Sequence, residues 1–171
     1  MGAGLLPVAL FKGSIFILLG QERHNNLWCD FGGSKEKGET NFQNAMREGE
    51  EELNGFLGTD KDFYDLVNNN LILSIDYDKY TSYLFKVNYD INMPIYFNNI
   101  NNFAEKHLDD KVNKLYNGLF EKKYIDWYSL ESFKNEKNKK LIRKHYLPHI
   151  NSIIKNEELI KNTIYNKNNN K

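Results

Sequence analysis

The chain has 171 residues, with Lys+Arg and Asp+Glu both at 23, so its formal net charge of zero excludes a global positive field for nucleic acid or membrane. Hydrophobic residues at 40% and aromatics at 14% are enough for one buried core and exclude wholesale disorder. The single cysteine, Cys29, excludes an intramolecular disulfide and a Cys-x-x-Cys metal site.

In chain order, residues 5–10 and 15–19 are apolar runs around a turn-like 11–14 and read as paired strands. The run at 15–19 is far short of the roughly 20 residues of a membrane helix. The start lacks the basic and apolar regions of a signal peptide, and Leu6 stands where a myristoylation signal wants Ser or Thr. We therefore expect a cytoplasmic protein with no membrane partner. A short strand is predicted at 27–31, then a glycine-rich loop at 32–38. A helix follows over 40–53, started by a Thr40/Gln43 capping box and ended by Asn54-Gly55. Strands are predicted at 71–77, 82–89 and 119–128, and helices at 103–116, 132–146 and 148–165. The mixture gives an α/β or α+β sandwich in a single domain over 1–165. Residues 166–171 (Asn-Lys-Asn-Asn-Asn-Lys) read as a frayed tail. Asn is about one residue in seven, which fits an AT-rich coding source better than a prion-like role.

In the 40–53 helix the 100° period puts Phe42, Met46 and Leu53 on one side with Ala45 nearby, the expected core face. Glu48, Glu51 and Glu52 converge on the other side at the last turn, where both mutual repulsion and the helix dipole call for a cation. The residues alone leave open whether that cation is Arg47 with nearby lysines or a divalent metal, for which hard carboxylate oxygens suit Mg²⁺ or Mn²⁺.

Gly33, five residues, Glu39, seven residues, then Arg47-Glu48-Gly49-Glu50-Glu51-Glu52-Leu53-Asn54-Gly55 resembles the Nudix box. Gly49 stands in place of a large aliphatic, Asn54 in place of glycine, Gly55 in place of an aliphatic, and Phe31 where Pro often precedes the glycines. The resemblance covers about residues 5–133 and implies an α/β/α sandwich with a mixed sheet. It also implies Mg²⁺- or Mn²⁺-dependent hydrolysis of a nucleoside diphosphate derivative by water attack on phosphorus. Glu48, Glu51, Glu52 and the Gly32 carbonyl are the implied ligands, with Arg47 and Glu39 orienting them and Glu121 the candidate base or further ligand. Glu121 read without the resemblance is an exposed carboxylate paired with Lys122 or Lys123.

The stretch 118–123 is similar to Nudix-like sequences of large DNA viruses, which makes mRNA decapping the alternative activity and the host cytoplasm the alternative location. A nucleotide- or RNA-binding module without catalysis is the non-enzyme alternative. Residues 134–145 carry six cations against Glu136, and a solvated helix face is the simpler reading of them, with Lys139, Lys140, Arg143 and Lys144 as candidate substrate contacts in the alternative.

Overall fold

The computed structural model describes residues 1–108 and 120–169. Strands β1 (Gly2–Phe11) and β2 (Ser14–Glu22) form an antiparallel hairpin closed by Lys12 and Gly13, both at positive φ. Then come β3 (Trp28–Cys29), β4 (Phe31–Ser34), α1 (Asn41–Glu52), α2 (Asp60–Asn70), β5 (Leu71–Tyr77), β6 (Tyr80–Lys86), α3 (Met93–His107) and β7 (Lys122–Ser129). A 3₁₀ turn (Leu130–Lys134), a one-turn α4 (Glu136–Lys139), α5 (Leu147–Lys155) and α6 (Glu157–Asn169) close the described chain.

The seven strands make one mixed sheet in which β1 pairs parallel to β6 and every other pairing is antiparallel. Alternation along β1 and β2 sends Ala3, Leu5, Ala9 and Leu18 to one face, under Ala45, Leu53, Phe63, Val67 and Phe97 of α1 to α3. Leu6, Val8, Ile15, Ile17 and Leu19 go to the other, under Phe133, Tyr146, Ile150, Ile153 and Ile160. The result is the expected α/β/α sandwich. Among the described residues no helix is long and apolar enough to cross a membrane.

One detail of register builds the site. β1 pairs β2 only from Val8 to Phe11, while its first residues, Gly2 to Leu5, pair β4 instead. β2 in turn leaves β1 and pairs β3 through Gly20 and Gln21. The hairpin therefore splays, with β4 following one strand and β3 the other, and a cleft opens between them.

Several expectations are corrected. The predicted 132–146 helix is broken: after α4, Ile142 is extended beside Trp28, whose N–H donates to the Leu141 carbonyl at 2.8 Å and whose carbonyl accepts from Arg143 N–H at 3.0 Å. Pairing with a strand edge outweighs helix propensity in this lysine-rich stretch. Helix α2 has no counterpart among the expected elements, and α3 starts ten residues before the predicted position. The remainder of the predicted 103–116 helix lies outside the described residues. Helix α6 runs through Asn166 to Asn169, into the predicted tail, where Lys167 donates to the Asn69 carbonyl at 3.0 Å.

Candidate active site

Helix α1 starts where its sequence asks it to: Thr40 Oγ1 accepts from Gln43 N–H at 3.1 Å and Gln43 Oε1 accepts from Thr40 N–H at 2.8 Å, both halves of a capping box. Just past its Leu53 cap stands Asn54, at φ 51°, whose side chain donates to Asn101 and accepts from Phe120 N–H, both at 3.0 Å. Asn54 thus takes over the left-handed exit of a glycine and adds two tethers that glycine lacks. The face against the sheet is Ala45, Gly49 and Glu52 followed by Leu53, with Phe42 and Met46 only flanking it. A Cβ on Gly49 would lie 2.6 Å from Leu5 Cδ1, so Leu5 fills the space that a large side chain at 49 would need.

Glu52 follows Ala45 by seven residues, nearly two full turns, and is carried to the buried side with it. The expected convergence of Glu48, Glu51 and Glu52 is therefore split. Glu48 and Glu51 stay at the surface edge of the helix, gripped by Arg47, with Nη1 3.0 Å from Glu48 Oε1 and 3.5 Å from Glu51 Oε2. The same guanidinium is bidentate to Glu39 at 2.8 and 3.2 Å and donates to the Ser34 carbonyl at 3.3 Å, so it ties the glycine loop to the helix. Glu48 lies over Gly33, where a Cβ would come within 2.6 Å of its carboxylate.

Glu52 is 4% exposed and enters the cleft. Its Oε2 accepts from Gly32 N–H at 2.7 Å and its Oε1 lies 3.1 Å from Lys122 Nζ. Because N–H and C=O of one strand residue point to the same edge, the Gly32 carbonyl faces this cleft as well. Lys122 is fully buried and also bonds Glu22 Oε1 at 2.6 Å and Cys29 Sγ at 3.3 Å, while Arg143 Nη1 meets Glu22 Oε1 at 2.8 Å. Glu121 is exposed, and the partners proposed for it from sequence are otherwise engaged: Lys122 is buried, and Lys123 lies over the Tyr124 ring.

Charge follows this geometry. Burial raises the Glu48 and Glu51 acids against the pull of Arg47, and Glu121 pushes both further up. Burial raises Glu52 to about 8 despite Lys122, with the Glu22 and Glu121 charges adding to the rise. For Glu22 burial is outweighed by Lys122, Cys29 and Arg143, and its acid falls to about 2. Burial pushes the Cys29 thiol up to about 12, which removes it as a nucleophile near neutral pH.

The cleft mouth is a hollow of about 250 Å³ reached by Gly32, Gly33, Asp30, Lys79, Arg143 and His145. Lys79, Tyr80 and His145 also line a second hollow of about 300 Å³ with Lys144 and Tyr77, so the two are neighbours in one groove. Of the candidate substrate contacts, Arg143 and Lys144 are therefore in the groove. Lys139 pairs with Glu136 and, like Lys140, lines neither hollow, because the segment is not one helix.

Sequence reasoning missed Glu22, Lys122, Asp30, Lys79 and His145. For Lys122 no local signal existed: β7 pairs Gln21 with Tyr124 but Glu22 with Lys122, and this bulge resets the alternation and turns the lysine inward.

The test for a metal is the donor set. Among the described residues no three His, Cys, Asp or Glu side chains meet as a ready metal cage. Glu48 and Glu51 nevertheless fit a hard divalent ion: both are carboxylates at one helix edge, and among the described residues the ion pairs of Glu39, Glu48 and Glu51 are all with the single Arg47. Glu52 does not fit in the same way, since protein donors hold both of its oxygens.

No family model and no curated protein matches the sequence. Solved structures do. A Nudix hydrolase from M. smegmatis, RenU, aligns over 94% of this chain and 87% of its own with a TM-score of 0.50 at 11% identity. C. elegans Ap4A hydrolase aligns over 77% and 81% with a TM-score of 0.43 at 20% identity. The NUDIX domain of Shewanella oneidensis NrtR, in complex with ADP ribose, covers 88% and 82% with a TM-score of 0.44 at 9% identity. The chain has the Nudix hydrolase fold.

Proposed function

We propose that the protein is a metal-dependent pyrophosphohydrolase that cleaves the diphosphate linkage of a nucleoside diphosphate derivative. The observation that supports this most is the Arg47-organised pair Glu48 and Glu51, set over Gly33 beside a cleft with cationic walls. When bound, Mg²⁺ or Mn²⁺ neutralises phosphate oxygens and lowers the pKa of a bound water. Glu48 and Glu51 hold the ion, Arg47 and Glu39 fix their rotamers, and the Gly32 carbonyl offers a further oxygen at the cleft edge. Glu121, whose charge reaches Glu48 and Glu51, is the candidate acceptor for the proton of the attacking water. Lys79, Arg143 and His145 line the side of the cleft where a phosphate chain would lie.

Continuation of the cleft past His145 to Lys144 and Tyr77 favours a second reading, in which the substrate is a capped RNA whose chain runs along that groove. One panel tests both: nucleoside diphosphate derivatives, a dinucleoside polyphosphate and a capped RNA, each with Mg²⁺, Mn²⁺ or chelator. Metal-dependent release of nucleoside phosphates from any of them supports the proposal. Tight binding with no metal-dependent turnover of any would make the protein a binding module.

A further inference from the structure

We propose that Lys122 is a built-in cation of this site, which claims Glu52 for the protein and leaves a divalent ion to Glu48 and Glu51. The idea rests on the metal-dependent reading above, and metal binding rather than turnover tests it.

The first argument is saturation. An ammonium has three N–H donors, and Lys122 has three partners: Glu22 Oε1 at 2.6 Å, Glu52 Oε1 at 3.1 Å and Cys29 Sγ at 3.3 Å. The other Glu52 oxygen accepts from Gly32 N–H at 2.7 Å. An ion bound directly to Glu52 would have to sit against a fixed positive charge or displace it. The second argument is fixation. Lys122 stands opposite Glu22 in the β2–β7 register, and its stem runs over Gly20, where a Cβ would be 2.8 Å from Lys122 Cγ and Cδ. Gly20 thus makes the channel that the lysine occupies, and its ammonium cannot reach water without leaving that channel.

The third argument is charge balance. Inside the cleft, Lys122 and Arg143 already supply two cations to Glu22 and Glu52. At the helix edge, the ion pairs of Glu39, Glu48 and Glu51 among the described residues are all with Arg47, and Lys35 adds a more distant positive charge near Glu39. The place short of a cation is the edge. Glu52 then acts as a positioning residue that holds the Gly32 backbone through its N–H.

The test is Mn²⁺ binding to the full chain, by calorimetry and by EPR of free Mn²⁺, for wild type, Glu48→Gln, Glu52→Gln, Lys122→Met and the Lys122→Met/Glu52→Gln double variant. Glu48→Gln should weaken binding at least about tenfold, the least expected from losing a direct ligand. Glu52→Gln should change it less than about threefold, because the amide oxygen still accepts from Gly32 N–H and the ion keeps all its ligands. Lys122→Met frees Glu52 and should tighten Mn²⁺ binding or add a second equivalent, and the double variant should remove that gain. The proposal is overturned if Glu52→Gln costs as much affinity as Glu48→Gln, or if Lys122→Met changes neither affinity nor stoichiometry. If Lys122→Met does not fold, the comparison of Glu48→Gln with Glu52→Gln decides alone. No Mn²⁺ binding by the wild type at millimolar concentrations would overturn the metal-dependent reading itself, and this proposal with it.

Discussion

Asp30 is the one residue between β3 and β4, buried with one oxygen 2.9 Å from the Tyr80 hydroxyl and the other 2.7 Å from Ser82 Oγ. Burial raises its acid from 3.8 to about 6 even though both hydroxyls and Lys122 favour the charge. A folded-state pKa above the unfolded one means that this stabilisation is complete below the unfolded value and is lost as pH rises through the folded one. Between about pH 4 and pH 6 the fold should therefore lose on the order of 3 kcal/mol from this group, at 1.36 kcal/mol per pKa unit. Asp30→Asn should flatten the fall of Tm across that window and raise Tm at pH 8, measured by calorimetry with chelator present. An unchanged slope would assign the pH response to other groups. Glu48 gives the complementary prediction for activity. Glu48→Gln keeps the size of the side chain and its position over Gly33, so turnover should fall at least about a hundredfold with Tm nearly unchanged.

Helix α1 is the element most legible in the sequence, because its signals are local: a capping box, a left-handed exit and a charged pattern of fixed spacing. Thr40→Ala should cost about 1 kcal/mol in urea unfolding, the usual value of such a cap. Position 49 shows what spacing could not reveal. Its glycine answers Leu5 on the facing strand, so Gly49→Val should destabilise by about 1–3 kcal/mol through overpacking, and Leu5→Ala should recover much of that in the double variant. Additive losses would show that position 49 responds to helix propensity and not to Leu5. Helix α2 is hidden for a different reason. It buries only Phe63 and Val67, one turn apart, in a run of Asp and Asn that favours turns as much as helix. The broken 132–146 segment fails in the opposite sense: its lysines are good helix formers, but the Trp28 edge offers backbone partners that no local rule contains.

On the scale of the molecule, a splayed hairpin carries two cores and gathers Glu22, Lys122, Glu52 and Arg143 from β2, β7, α1 and the chain after α4 into one polar cluster. The carboxylates at the helix edge are legible because they share one helix, whereas Glu22 and Lys122 meet across 100 residues and a bulge. The cations of the groove come from separate places in the chain, and this gives a prediction that the basic run alone could not have framed. Lys79 and Lys144 line the groove and have no ion pair among the described residues, while Lys139 is held by Glu136 and Lys140 lines neither hollow. Arg143 is left out of the test because it supports Glu22. If the groove guides a phosphate chain, Lys79→Glu with Lys144→Glu should raise KM for a capped RNA at low salt. The salt dependence of kcat/KM should also flatten by about one unit of log–log slope for each phosphate left without its lysine. Lys139→Glu with Lys140→Glu should do neither, although it changes the net charge by the same amount, so a general field effect is separated from a local one. For a small nucleoside diphosphate derivative, which reaches only the mouth, Lys144→Glu alone should leave KM within about twofold, whereas Lys79→Glu should raise it. Equal effects of the two pairs of charge reversals would mean that the groove steers no substrate, and the cationic walls would then act only on the cleft's own carboxylates.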